Sequence, residues 1–345
     1  MAEVLKRLLI VCLLFAACAA LVAWQIKTYW EQPLEIPSAG YALEIAPGQT
    51  LKSVASQLEQ DGVYAHPWLI RLYGRYSGLD QSIKRGEYLV PAGTTPLSLL
   101  LLLESGKVVS YQVTLPEGIT LGRALEILQA QASLLHELDG VLDHRIAKLT
   151  AAFPGSEGLF FPDSYRYEKG DSDWDVLQRA YRAMQDVLAS EWQGREENLP
   201  YQSPYEALVM ASIVERETGV AHERGEIAGV FVRRLNKNMR LQTDPTVIYG
   251  LGSDYSGNLR RVHLRDDSNP YNTYRHKGLP PTPIALPGRE AIHAALHPLA
   301  GKTLYFVARG DGSHYFSETL AEHQQAVRKY QLNRRSDYRS SPGKR

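Results

Sequence analysis

Tyr205-Glu-Ala-Leu-Val-Met-Ala-Ser-Ile-Val-Glu-Arg-Glu-Thr-Gly219 decides how the rest of the chain is read. From Ala207 to Val214 every residue is apolar or small, so a helix here has no face suited to water and is buried on most sides. The expected stop is Gly219, a residue favoured just past a helix end. Glu215 and Glu217 stand immediately before that stop. At about 100° per residue, Glu217 lies on the stripe of Met210 and Ile213, while Glu215 faces the side of Leu208 and Ala211. Both point towards packed surface. Burial raises the pKa of a carboxyl, and the negative end of the helix dipole pushes it the same way. A carboxyl kept partly protonated near neutral pH is suited to general-acid chemistry. An ion pair with Arg216, Arg224 or Arg233 is the competing account of either glutamate.

Downstream, a second helix is expected over about Glu223–Asn236, with Ile227, Val230, Phe231 and Leu235 on one side. A long irregular tract from Gln242 to Pro287 follows, and structureless tracts of this length in compact domains are usually functional. It contains Gln242-Thr-Asp-Pro-Thr-Val-Ile-Tyr-Gly250, Tyr271-Asn-Thr-Tyr274 and Gly278-Leu-Pro-Pro-Thr-Pro283. Helix Arg289–Leu296, strand Thr303–Ala308, a Gly-Asp-Gly-Ser turn, strand Ser313–Ser317 and helix Leu320–Leu332 close the chain. Upstream lie a strand over Val109–Leu115, an amphipathic helix over Thr120–Leu135 and the aromatic run Glu157-Gly-Leu-Phe-Phe-Pro-Asp-Ser-Tyr-Arg-Tyr167. A long helix over residues 172–192 comes next; residues 136–155 have no clear pattern.

Nearer the N-terminus, residues 41–108 read as strand, helix, helix, strand, helix. Tyr41–Ile45 and Gly86–Val90 alternate as strands, and Leu51–Gln60 and Thr95–Glu104 follow helical spacing. This compact order is similar to that of LysM-type glycan-binding modules. Residues 31–40 form a polar linker. Before it, Leu8 to Trp24 is an uninterrupted apolar run between Lys6-Arg7 and Lys27, at the short end of what spans a bilayer. A cleaved signal peptide and a lipoprotein signal at Cys18 compete with a retained anchor. The anchor fits best, because the apolar run outlasts a usual signal core and Phe15 is ill suited to a lipoprotein signal. Lys6 and Arg7 place the N-terminus inside, which leaves the body in the periplasm.

The composition is ordinary for a globular protein, with 44% hydrophobic and 22% charged residues. Its formal net charge of zero gives no electrostatic footprint for nucleic acid. Both cysteines, Cys12 and Cys18, fall in the apolar run, so the body has no thiol, disulfide or cysteine metal site. No phosphate-binding loop, dinucleotide fingerprint or metalloprotease motif occurs. His293 and His297 have a metal-compatible spacing but no evident third ligand, so no metal and no cofactor are expected. Ser212 and Ser156 lie in no nucleophile elbow. Asp163 reads as a turn residue.

Ala211–Thr218, Arg240–Gly250, Tyr271–Tyr274 and Gly278–Pro281 together closely resemble the MltG-type (YceG-like) endolytic murein transglycosylases. Glu157–Asp163, Leu304–Val307 and the order of anchor, small module and large domain resemble that family as well, over about residues 5–332. Ser164 and Gly219 depart from it, standing where members often carry Thr and Ala. The resemblance implies an α+β protein: an N-terminal transmembrane helix (1–30), a LysM-like module (41–108), a mixed α/β catalytic domain (109–332) and a polar tail (333–345). It implies a single-pass inner-membrane protein that cuts the MurNAc-GlcNAc bond inside peptidoglycan strands. The product would carry a 1,6-anhydro end, with nascent strands as substrate and peptidoglycan synthases as neighbours. The family's catalytic glutamate falls on Glu217, with Glu157, Glu215 and Thr218 in support. Gln242, Asp244, Thr246, Tyr249, Asn272 and Tyr274 are the candidates for holding sugars, each against a purely structural role in the loop. A hydrolase would need a second carboxylate across the bond, for which Glu157 and Asp244 are available. A non-catalytic glycan-binding scaffold would leave the Glu217 helix unexplained.

Overall fold

The computed structural model describes residues 1–332; the polar tail expected at 333–345 lies outside them. The chain packs as two units, Met1–Tyr111 with Arg166–Asp171, and Gln112–Tyr165 with Ser172 onward. Among the described residues the architecture is mixed helix and sheet, and the strands form three separate pairs.

The first unit begins with α1 (Ala2–Glu31), whose mean hydropathy of 2.5 and length suffice to cross a membrane. Then follow β1 (Tyr41–Ile45), α2 (Leu51–Gln60), α3 (Pro67–Ser77), β2 (Gly86–Val90) and α4 (Pro96–Ser105). β1 and β2 pair antiparallel, Tyr41 opposite Val90 and Ile45 opposite Gly86. Thr50 with Ser53 caps α2, and Thr95 with Ser98 caps α4, each satisfying backbone N–H groups that a helix start leaves open. One face of the sheet, Leu43, Ile45, Tyr88 and Val90, is sealed by Val54, Leu58, Leu99 and Leu103. Fully burying each such side chain contributes about 1.5–3 kcal/mol. Tyr88 is buried with its hydroxyl satisfied, donating to the Lys84 carbonyl at 2.8 Å.

β3 (Ser110–Thr114) pairs with β4 (Ser164–Glu168). Between them lie α5 (Leu121–Gln129) and the short α6 (His144–Leu149). α5 ends six residues before the expected Leu135. The carboxylate of fully buried Asp173 draws the following chain away from the helix by accepting from the N–H groups of Glu137 (2.9 Å) and Leu138 (3.3 Å). Asp173 is also the first residue of α7 (Asp173–Gln193), so one side chain ties this loop to a helix start.

α8 (Pro204–Glu217) is the axis of the second unit, with Ala207 to Val214 all buried. α7, α9 (Arg224–Asn236), α10 (Asp244–Leu251) and α12 (Arg289–Leu296) pack around it. α8 stops at Glu217 with Thr218 as its cap, so Gly219 lies just past the helix end as expected. Thr218 is extended at φ −143°, and its hydroxyl accepts from the Val220 N–H at 2.9 Å. The tract expected to be irregular contains α10 and the single-turn α11 (Arg261–Arg265). Proline at the second position of α10 marks a helix start that eight residues of mixed pattern had concealed. A hairpin of β5 (Tyr305–Ala308) and β6 (His314–Ser317) and then α13 (Leu320–Val327) complete the unit. α13 gives way to a π-turn over Arg328–Leu332, so the expected helix to Leu332 is regular only in its first part.

Candidate active site

Glu217 is the last residue of α8, held where a buried helix meets the loops around it. Its carboxylate accepts a hydrogen bond from the Thr243 hydroxyl. Thr243 is itself buried and fixed by its backbone, whose N–H donates to Thr273 Oγ1 at 3.0 Å. Desolvation raises the Glu217 pKa from the ordinary 4.5 to about 7; the Thr243 bond opposes the rise, nearby Asp244 adds to it, and Arg234 opposes it. At neutral pH this carboxyl is therefore divided between acid and base forms, which suits it to give or to take a proton.

The preceding residue of the Thr243 loop, Gln242, has φ +52°, a left-handed conformation costly for a non-glycine residue. Its N–H donates to the Thr273 carbonyl at 3.2 Å, so the strand of chain carrying Tyr271–Tyr274 holds the strained turn in place. The turn aims Thr243 at Glu217 and starts α10 at Asp244. Asp244 accepts from the Tyr274 hydroxyl at 2.7 Å, and burial followed by the Asp244 charge raises the Tyr274 pKa.

The other end of α10 organises a second carboxyl. Glu157 accepts from the Leu121 N–H at 2.9 Å and from the Tyr249 hydroxyl at 3.3 Å. Burial raises its pKa to about 7 against the lowering effect of those bonds. Thr243 and Tyr249 are six residues apart, about 9 Å of helical rise, so α10 spaces the two carboxyl sites. A cavity of about 810 Å³ opens beside Glu157, lined also by Arg123, Arg216, Ile248, Tyr249 and Tyr271. Gly250 also lines it, and glycine is required there: a Cβ would fall 2.1 Å from Asn269 Oδ1. Glu217 is not among the lining residues; it sits beyond the far end of α10.

The remaining sequence candidates divide into two groups. Gln242 and Asp244 have exposed side chains, and Tyr249 and Tyr274 are part-exposed. Thr246 and Asn272 are fully buried and already bonded. Thr246 meets Thr273 Oγ1 at 2.9 Å, while the Asn272 amide donates to the His263 and Asp266 carbonyls. These two shape the loop from within. Thr218 is buried too, its hydroxyl donating to Glu223 at 3.4 Å. Glu223 in turn meets His314 Nδ1 at 2.7 Å, so a buried acid–imidazole contact ties the residue after Glu217 to the hairpin. Glu215 points elsewhere. In place of an arginine, its carboxylate accepts from the Gly288 N–H at 3.1 Å, at the start of α12. Burial raises its pKa, with the Gly288 bond opposing.

Sequence reasoning passed over Thr243 and Arg234. Thr243 stood inside a quoted motif with nothing to distinguish it. Arg234 did carry a signal: it lies four residues after Val230 and seven after Ile227, a cation on the apolar side of α9. It is buried, its guanidinium donating to the carbonyls of Leu304 (2.7 Å) and Leu241 (2.7 Å). The structure also corrects the reading of the two histidines, since Glu191 of α7 supplies the third residue missing from the sequence pattern. Those ligand atoms are engaged: Glu191 accepts from Arg289 at 2.7 Å and meets His293 Nδ1 at 2.9 Å. Both ring nitrogens of His297 face carbonyl oxygens. Burial alone would raise the Glu191 pKa, but His293 and Arg289 hold it low.

Known proteins carry the same plan. The model of the YceG-like family matches residues 43–329. An endolytic murein transglycosylase of Bacillus subtilis (strain 168) is 31% identical over 308 residues, covering 84% of this chain and 84% of the relative. One of Streptococcus pneumoniae serotype 2 (strain D39) is 27% identical over 330 residues, covering 86% of this chain but 59% of that longer protein. The crystal structure of a putative YceG-like protein of Listeria monocytogenes superposes with a TM-score of 0.51 at 28% identity, covering 84% of this chain and 99% of that one. A family match spanning both the small module and the Glu217 domain leaves one assignment: the chain belongs to the YceG-like family.

Proposed function

We propose that the chain is an endolytic lytic transglycosylase of peptidoglycan, with Glu217 as the single acid/base. The observation that carries the assignment of Glu217 is its position: a desolvated carboxyl with pKa near 7, held by a rigid threonine at the edge of a loop-built wall. Glu217 protonates the leaving oxygen between MurNAc and GlcNAc. As a carboxylate it then takes the proton from the C6 hydroxyl of the same MurNAc, which closes on C1. An internal nucleophile needs no positioned water and gains effective molarity on the order of 10⁵ M. Tyr249, Asp244, Gln242 and Tyr274 are the exposed or part-exposed groups from which sugar contacts are drawn, and the cavity beside Glu157 extends the surface along a strand. The names of the Bacillus and Streptococcus relatives support the reaction class.

The β1–α2–α3–β2 order, with its antiparallel strand pair, supports a LysM-like glycan-binding role for the module within 41–108. α1 anchors the chain in the inner membrane with the body in the periplasm, where it ends nascent strands beside peptidoglycan synthases. Mass spectrometry of digested glycan strands tests the reaction. The anhydro product is one water lighter than a hydrolytic product, and an exclusively hydrolytic product would refute the transglycosylase reading.

A further inference from the structure

α3 buries one face and leaves an apolar stripe on the other. Trp68, Leu72 and Tyr76 are 44%, 60% and 89% exposed, although Leu69 and Ile70 of the same helix are buried in the module core. Spaced by four residues, the three form one stripe, and Arg71 and Arg75 border it on a single side. Three large apolar or aromatic side chains aligned in water call for a partner.

The end of α1 indicates which one. The ring centroids of Tyr29 in α1 and His66 lie 4.0 Å apart and those of Trp30 and Tyr73 4.6 Å apart, both pairs tilted. Tyr64 adds a hydrogen bond from its hydroxyl to the Tyr29 carbonyl at 3.1 Å. His66 and Tyr73 are about 10 Å apart along α3, yet they meet consecutive residues of α1. α3 therefore crosses α1 steeply, and lies along the membrane plane if α1 spans the bilayer. The depth follows from the sequence. A hydrocarbon core of about 30 Å takes about 20 residues, so one starting at Leu8 ends near Lys27. Trp30 is three residues further, about 5 Å out, within the headgroup layer.

At about 100° per residue, the Trp68–Leu72–Tyr76 stripe centres about 110° from the side facing α1. The core-facing Ile70 and Gly74 lie about 160° from the stripe on either hand. The module is thus on one side of α3 and the stripe on the other. Because the module is outside the bilayer, the stripe faces it. Trp and Tyr favour this layer, and arginines beside it attract anionic phospholipid.

We propose that the Trp68–Leu72–Tyr76 face of α3, with Arg71 and Arg75, is an interfacial surface that lies on anionic phospholipid beside the α1 anchor. It would fix the height of the module above the bilayer, where a freely hinged anchor would let it swing. The proposal rests on α1 spanning the membrane, and the test separates the two claims. The full chain, with Cys12→Ala and Cys18→Ala, is placed in nanodiscs and nitroxide-labelled singly at Val11→Cys, Lys52→Cys or Leu72→Cys. Collision with oxygen and with a water-soluble nickel chelate then reports each label's surroundings. Label 11 reports the anchor, and label 52, at an exposed position of α2, reports water.

In discs of phosphatidylcholine with phosphatidylglycerol, label 72 is expected to behave like label 11, with nickel collisions several-fold below those at label 52. Arg71→Ala with Arg75→Ala should bring those collisions up towards the level seen in phosphatidylcholine alone. A lipid-like label 11 with a water-exposed label 72 overturns the proposal and leaves the anchor standing. A water-exposed label 11 overturns both. Shielding of label 72 only after purified glycan strands are added assigns the face to glycan and also overturns the proposal.

Discussion

Replacing Glu217 by Gln removes an ionisable proton while keeping the shape and an oxygen that can still accept from Thr243. Turnover should fall by ~10²–10⁴-fold or more, since the amide can neither donate the proton nor recover it. Stability should move the other way, and with pH. The folded pKa of about 7 stands above the ordinary 4.5, so the fold favours the protonated form. That contribution is complete below the unfolded value and is lost as pH rises through 4.5 towards about 7. The gap of 2.5 between those values, at about 1.4 kcal/mol for each tenfold step, is worth about 3–4 kcal/mol. Above about pH 8 the wild-type fold carries a desolvated charge that the amide lacks, so Glu217→Gln should melt higher by several degrees. Below about pH 4 the two should melt together. The assay is anhydro-product formation at neutral pH, with thermal melting of both proteins across the range. A folded variant with near-normal turnover would falsify the acid/base assignment. Melting curves offset equally at every pH would refute the account of its pKa.

Four further outcomes follow from the same geometry. Glu215→Ala leaves the Gly288 N–H without its acceptor at the start of α12, so melting should drop by the equivalent of about 1–3 kcal/mol. Its turnover, measured on the folded fraction, should fall far less than that of Glu217→Gln. Arg234→Met removes a cation that lowers the Glu217 pKa, so the alkaline limb of the pH–rate profile should move to higher pH; an unmoved limb would remove Arg234 from the electrostatics of the site. Glu157→Gln changes the cavity wall at the far end of α10, and should raise KM for long strands more than it lowers kcat. Under the proposed mechanism, in which Glu217 serves both proton transfers, turnover should survive dialysis against EDTA; loss restored by one specific metal ion would contradict it.

The small module was legible because its signals are local. Alternation in Tyr41–Ile45 and Gly86–Val90, and Thr50 and Thr95 ahead of apolar periodic runs, mark element ends that tertiary structure had no reason to change. The length of α5 was misjudged where a distant side chain took over backbone hydrogen bonds. α5 ends early because Asp173, more than forty residues on, captures the N–H groups of Glu137 and Leu138. No window of local sequence around the end of α5 contains that partner.

The site divides along the same line. A helix apolar on every face leaves a carboxylate in its last turn no water to face, so the need for a partner at Glu217 is written within one segment. Which group answers that need is set by the turn at Gln242, whose positive φ makes sense only once Thr273 is seen holding it. The same reasoning separates the two glutamates. Glu215 leaves α8 about 200° from Glu217 and finds the backbone of Gly288, a partner that anchors a helix and offers no sugar a place to stand. Glu217 finds a hydroxyl on a loop whose outer side carries Asp244 and Tyr274. One buried helix thus presents two carboxylates in different surroundings, and the difference between them is made by the loops they meet.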